Sequence, residues 1–270
     1  MKPPLKWAGG KRSLIVRITE LFPKNHRTKR YHEPFFGGGA VFFELEPERG
    51  TINDVNPKLI NFYKVVRDHP NDLIDFASNY RYDEMEYYKR RERFNDPKIP
   101  SVESAALLLY LNKTGFNGLY RVNAKGDFNV PYGKYSNPKI VDRKKILETS
   151  LLLSRIEIFC EDFSYILNHV EYGDICYLDP PYHPVSNTAN FTEYASGNFF
   201  FDDQVRLRDI CIKLNKLGAF FVLSNSDTPV INKLYESTGF KMRHLKTRRS
   251  ISSKVSTRNS GEELLISNCI

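Results

Sequence analysis

Short, largely apolar runs bounded by turn residues recur in the second half of the chain, at residues 156–160, broken by Glu157, at 175–178, and at 219–224, closing on Ser224. Their length and β-prone composition predict buried strands. Residues 143–150, 203–217 and 230–238 repeat apolar positions at helical spacing between and after them, and 240–245 and 264–269 have the form of edge strands. This alternation predicts an α/β fold. Nearer the N-terminus, an amphipathic run covers 13–21, a short strand enters the Gly37-Gly38-Gly39 turn and a helix, and 51–54 forms a second strand ending in Asp54. The alternation then breaks. From Pro57 to about Asn112 the spacing is helical throughout: Leu59, Ile60, Tyr63 and Val66, then Leu73, Ile74 and Phe76, then the charged run 83–94, then 105–111. Asn56-Pro57 opens this stretch as a helix cap with proline in the first turn. A helical domain inserted into an α/β chain is expected.

The buried run 175–178 delivers Asp179-Pro180-Pro181-Tyr182 to its carboxyl end, where ligands of open α/β sheets collect. Two prolines fix φ and remove two N–H donors, leaving an acid, bare carbonyls and an aromatic face in a stiff array. That array suits a planar base with an exocyclic amine: Asp179 and the Pro180 carbonyl each accept one N–H, and Tyr182 stacks on the ring. Asp-Pro alone reads as a strand-ending turn; the complete tetrapeptide after a buried strand favours a site. Residues 183–201 are polar and aperiodic, as in a loop over a site.

Upstream, the glycine turn can bring a nucleotide-like cofactor against backbone amides, though it is neither a phosphate loop nor a full G-x-G-x-x-G fingerprint. Asp54 is placed to bind both hydroxyls of a ribose, or simply to cap, and both roles are compatible. Trp7, the only tryptophan, leads into Gly9-Gly10-Lys11, a loop able to approach an anionic or carboxylate-bearing ligand. Asp162 and Phe163 read either as contacts to an adenine or as a helix cap with its staple.

Charge adds a partner. The net charge is +8 over 270 residues, and residues 113–145 hold eight Lys/Arg against two Asp, a local excess of 8 − 2 = +6. Within that span two β-like runs flank the turn 123–127, predicting a β-hairpin whose basic residues interleave with Phe116, Tyr120, Phe128, Tyr132 and Tyr135. This combination suits phosphate contact with base stacking. Residues 241–258 carry seven Lys/Arg and no acid, and read as a flexible basic loop. The four cysteines have neither CxxC spacing nor a histidine cluster, so no metal site is expected, and three of them fall in apolar strand or helix patterns as buried thiols do. No Pro-Cys nucleophile motif is present. The absence of a signal-like start or a membrane-length apolar run leads to a cytoplasmic expectation.

Together these segments resemble the DNA adenine methyltransferase (Dam) family, along nearly the whole chain: Lys6-Trp7-Ala8-Gly9-Gly10-Lys11, Glu33-Pro34-Phe35-Phe36-Gly37-Gly38-Gly39-Ala40, Asn53-Asp54, Asn117-Gly118-Leu119-Tyr120-Arg121, Phe128-Asn129-Val130-Pro131-Tyr132-Gly133 and Asp179–Tyr182. The resemblance implies a Rossmann-like S-adenosylmethionine-dependent methyltransferase sheet (1–56 and 146–270) with an inserted, mostly helical DNA-recognition domain (57–145) ending in a β-hairpin. By position, Trp7, Lys11, Phe35, Gly37, Gly39, Asp54, Asp162, Phe163 and Asp179 would line the cofactor pocket. Arg121 would grip a guanine in GATC, Leu119 and Pro131 would touch neighbouring bases, Phe116 and Asn117 would lie near an extruded adenine, and Lys6 would contact the outer edge of the site. Phe116 stands where relatives also carry tyrosine. Asp179, Pro180, Pro181 and Tyr182 would act in methyl transfer to adenine N6 of double-stranded DNA. A cognate restriction endonuclease is a candidate partner, and a monomer is expected. N4-cytosine transfer, a non-catalytic DNA-binding relic, and RNA or protein-amide methylation are the competing readings.

Overall fold

The structure is a computed structural model and describes residues 1–11, 13–183, 199–247 and 261–269. In chain order its elements are α1 (Ile15–Thr19), β1 (Tyr31–Glu33), α2 (Phe42–Leu45), β2 (Gly50–Asn53), α3 (Pro57–Asp68), α4 (Pro70–Ser78), α5 (Glu84–Phe94), α6 (Ser101–Thr114), α7 (Arg143–Leu153), β3 (Ile156–Phe159), β4 (Ile175–Leu178), α8 (Phe201–Leu217), β5 (Phe220–Ser226), α9 (Pro229–Glu236), β6 (Lys241–Thr247) and β7 (Gly261–Ser267). This is the mixed α/β fold the alternation predicts. The chain forms two compact units, Met1–Lys11 with Phe36–Phe163, and Arg12–Phe35 with Ser164–Ile270. The inserted stretch 57–145 falls wholly within the first.

In the first unit β2 and β3 pair in parallel, with Gly50 opposite Ile156 and Asn53 opposite Phe159. The Asn56 side-chain oxygen accepts the Lys58 and Leu59 N–H groups at 3.1 and 3.2 Å, so α3 starts where the Asn-Pro pair requires. Helix α6 is buried continuously from Ser104 to Asn112, packed by α3, α4 and α5. A helix apolar on all sides belongs at the centre of a bundle, and α6 takes that place. Beyond it the chain reverses at Asn123–Asp127, where Asn123 N–H bonds the Asp127 carbonyl and Gly126 N–H the Asn123 carbonyl, both at 2.9 Å. The reversal carries isolated bridges, Val122–Phe128 and Gly115–Tyr132, rather than a continuous ladder. The returning strand bonds the outgoing one, Asn129 N–H to the Arg121 carbonyl at 3.0 Å, and is also held by the α5 region: the Asn95 amide holds both backbone groups of Phe128, and the Val130 carbonyl accepts the Tyr87 hydroxyl at 2.9 Å.

In the second unit the strand order is β1-β4-β5-β7-β6. β1, β4 and β5 are parallel, whereas β7 runs antiparallel to both β5 and β6. All four residues of β4 are buried, as in a strand covered on both faces. His32 of β1, fully buried, bonds Asp174 at 3.0 Å and so fastens β1 to the start of β4. Burial lowers the His32 pKa, opposed by Asp174. Cys176, Cys211 and Cys269 are buried free thiols, while Cys160 is exposed. Among the described residues no helix is long and apolar enough to cross a membrane. Most of the expected loop over the site and the Ser-rich middle of the basic stretch, 184–198 and 248–260, lie outside the described residues.

Candidate active site

β4 ends at Leu178, and Asp179 follows half-buried with Pro180 buried behind it. The loop is held by side chains. Gln204 of α8 donates its Nε2 to the Pro181 carbonyl at 3.0 Å, and its Oε1 accepts Nδ2 of Asn225 at 2.9 Å. Both amides are almost wholly buried. Ser226 donates its hydroxyl to the His183 carbonyl at 2.7 Å, and the Tyr182 hydroxyl donates to Glu263 Oε2 at 3.4 Å. Of the two proline carbonyls, that of Pro181 thereby has one protein donor. Burial, reinforced by the neighbouring Asp179 charge, raises the Tyr182 phenol far above its ordinary pKa, so its ring stays neutral. Phe35, just beyond β1, is half-buried and meets Phe199 edge-on at 5.7 Å. Glu33, buried at the end of β1, accepts the Tyr31 hydroxyl at 2.7 Å. Gln204, Asn225, Ser226 and Glu263 escaped the sequence reading, and Glu33 entered it only as part of a motif; the run of polar residues closing β5 could have drawn attention to two of them.

The expected cofactor residues of the first unit gather around the glycine turn. Gly37 and Gly39 have φ of +49° and +65°. A Cβ on Gly37 would lie 2.9 Å from Trp7 Cδ1, and one on Gly38 2.8 Å from Trp7 Cβ, so the tryptophan packs directly on the turn. Gly37 N–H bonds Asp54 Oδ2 and Asn56 N–H bonds Asp54 Oδ1, both at 2.9 Å. Each carboxylate oxygen thus has one protein donor and retains acceptor capacity for a hydroxyl, which fits a vicinal diol. Burial raises the Asp54 pKa, and these two N–H bonds oppose the shift. The Asn53 side chain bonds both the N–H and the carbonyl of Glu161, bringing the end of β3, and with it Asp162, beside the end of β2. Asp162 is exposed, Phe163 buried and Lys11 buried, the last with Nζ 3.0 Å from the Gly9 carbonyl.

The residues expected to meet DNA also lie together. Phe116 and Asn117 are exposed in a 3₁₀ turn, Phe116–Gly118, with Asn117 at φ +55°. Phe116 N–H bonds the Pro131 carbonyl at 2.9 Å. Lys6 is gripped by the buried Asn112 amide, which bonds its N–H and carbonyl and also the Gly118 carbonyl. Arg121 is exposed, its Nε 2.7 Å from Asn129 Oδ1 and one terminal nitrogen 3.0 Å from the Asn129 carbonyl. Both of these partners are neutral, so they leave its charge uncompensated. Leu119 is half-buried beside it.

The chain is similar to known proteins along its length. A sequence profile described as D12 class N6 adenine-specific DNA methyltransferase matches residues 7–251. The Type II methyltransferase M1.LlaDCHI of Lactococcus lactis subsp. cremoris is 41% identical over 275 residues, covering 99% of this chain and 95% of its own. The Type II methyltransferase M.MjaIII of Methanocaldococcus jannaschii is 43% identical over 288 residues, covering 99% of each. The DNA adenine methylase of Escherichia coli K12 is 35% identical over 265 residues, covering 97% and 93%. Profile and relatives agree in class, and the chain belongs to the D12 class of N6 adenine-specific DNA methyltransferases.

Proposed function

We propose that the enzyme takes its methyl group from S-adenosylmethionine and delivers it to an adenine flipped out of a GATC site. When bound, that cofactor supplies an electrophilic methyl on a sulfonium. Asp54 holds the ribose hydroxyls, and Trp7, Lys11, Phe35, Gly37, Gly39, Asp162, Phe163 and Asp179 complete its binding residues. Adenine N6 is a poor nucleophile because its lone pair is delocalised into the ring. N–H bonds to Asp179 and to the Pro180 carbonyl favour a tetrahedral nitrogen and free that lone pair, while Tyr182 stacks on the base. Extrusion from the duplex is needed because an in-line approach to N6 is closed within the stack.

The observation that carries this reading is the Gln204 bond to the Pro181 carbonyl, which holds the loop that presents Asp179, the Pro180 oxygen and Tyr182. Gln204→Leu is therefore expected to slow single-turnover methyl transfer by up to ~10²-fold, the cost of a misplaced reacting group, with DNA affinity little changed. A lower melting temperature at an unchanged rate would show that Gln204 only packs.

The base-reading assignments to Lys6, Phe116, Asn117, Leu119, Arg121 and Pro131 carry over from the family resemblance, and the exposure of all but the half-buried Leu119 supports them. The DNA adenine methylase names among the relatives support GATC, and the Type II methyltransferase names support a restriction endonuclease of the same specificity as partner. Expression in a methylation-deficient host followed by modified-base sequencing is expected to show N6-methyladenine confined to GATC. Methylation of a different site would refute the GATC assignment alone.

A further inference from the structure

Tyr120 lies between two residues assigned above to base reading, yet its own side chain points elsewhere. Leu119 and Tyr120 are half-buried and Arg121 is exposed. The Tyr120 ring stacks on Trp7, with centroids 5.2 Å apart and planes at 26°, and tilts against Phe128 at 5.6 Å. Burial raises its phenol pKa, with the Asn56 side chain opposing the shift and the Asp54 charge adding to it, so the hydroxyl faces both residues. Trp7 packs on Gly37, Gly37 N–H bonds Asp54, and Asp54 accepts the Asn56 N–H. The contacts close on themselves: Tyr120, Trp7, Gly37, Asp54, Asn56 and Tyr120 again.

We propose that Tyr120 is a positioning residue that links occupancy of the cofactor site to the reading of DNA bases by Leu119 and Arg121. The link rests on the roles proposed above for Trp7, Asp54 and Arg121. A ligand on Asp54 and the glycine turn orders four members of the ring, and the fifth carries the reading residues on either side of it in the chain. The ordering cost met by the first ligand is spared to the second, which gives positive cooperativity. The effect is reciprocal, because linkage requires DNA to change cofactor affinity by the same factor.

The test uses the full chain with sinefungin, a non-reactive cofactor analogue, and duplexes carrying GATC or one altered guanine. Anisotropy gives DNA affinity with and without the analogue, and calorimetry gives analogue affinity with and without DNA. In the wild type the analogue should tighten GATC binding by about 5- to 150-fold, the usual span of such couplings, and the altered duplex by less. Tyr120→Leu should bring the factor close to one while the analogue alone still binds. Tyr120→Phe, which keeps the stack and loses only the hydroxyl, should give an intermediate factor and guards against a folding defect. The same wild-type factor in both variants overturns the link, as does a wild type that binds both ligands without mutual effect. An analogue that fails to bind the wild type overturns the cofactor assignment and the link with it.

Discussion

Asp179→Ala is expected to abolish methyl transfer while DNA binding stays within a few-fold of the wild type. The carboxylate accepts one of the two N6 hydrogens in the proposed arrangement, so its loss removes both the orientation of the amine and the field that favours its tetrahedral form. Preorganised polar groups of this kind are worth ~10²–10³ in rate when removed singly, and loss of positioning adds to that. Transfer of a labelled methyl group in a single turnover, alongside a binding titration, separates chemistry from affinity. Asp179→Asn retains an acceptor oxygen without the charge and should fall between the two. Near-normal turnover by Asp179→Ala would remove the carboxylate from the mechanism.

Arg121→Ala should relax one guanine position, with a loss of ~1–3 kcal/mol of discrimination. The side chain is already aimed: Nε and one terminal nitrogen are bonded to Asn129, leaving the end of the guanidinium fork for a base edge. Competition between GATC duplexes substituted at each position would show the effect as a change confined to one base pair. If every duplex weakened equally and the salt dependence became shallower, Arg121 would be a phosphate contact.

Much of this architecture is written in local patterns. The buried runs became β3, β4 and β5, the helical spacing after Pro57 became α3 to α6, and Asn56 caps α3 as its place before proline requires. Those features depend on neighbours within a turn or a strand, where residue type and spacing speak directly. The supports of the Asp179–Tyr182 loop are of another kind. Gln204 sits in a helix whose other polar residues face water, and its amide gains meaning only because Asn225 ends the adjacent strand. The hairpin differs for the same reason: its turn is legible at 123–127, but its short ladder is supplemented by Asn95 and Tyr87, side chains that no local pattern connects to Phe128 and Val130. Tyr120 counted in the sequence as one aromatic among five on a basic segment. Its stacking on Trp7 comes from the tertiary fold.

The placement of β7 has a consequence for biosynthesis. β7 follows β6 in the chain but lies inside it, pairing with β5 through Val222–Ser267 and Ser226–Glu263. While a ribosome is still making β6, the outer edge of β5 has no strand to bond to, and an open edge invites pairing with another chain. The same late strand brings Glu263 to the Tyr182 hydroxyl. A nascent chain that has built every motif up to the basic loop therefore still lacks both the guard on its sheet and one anchor of Tyr182.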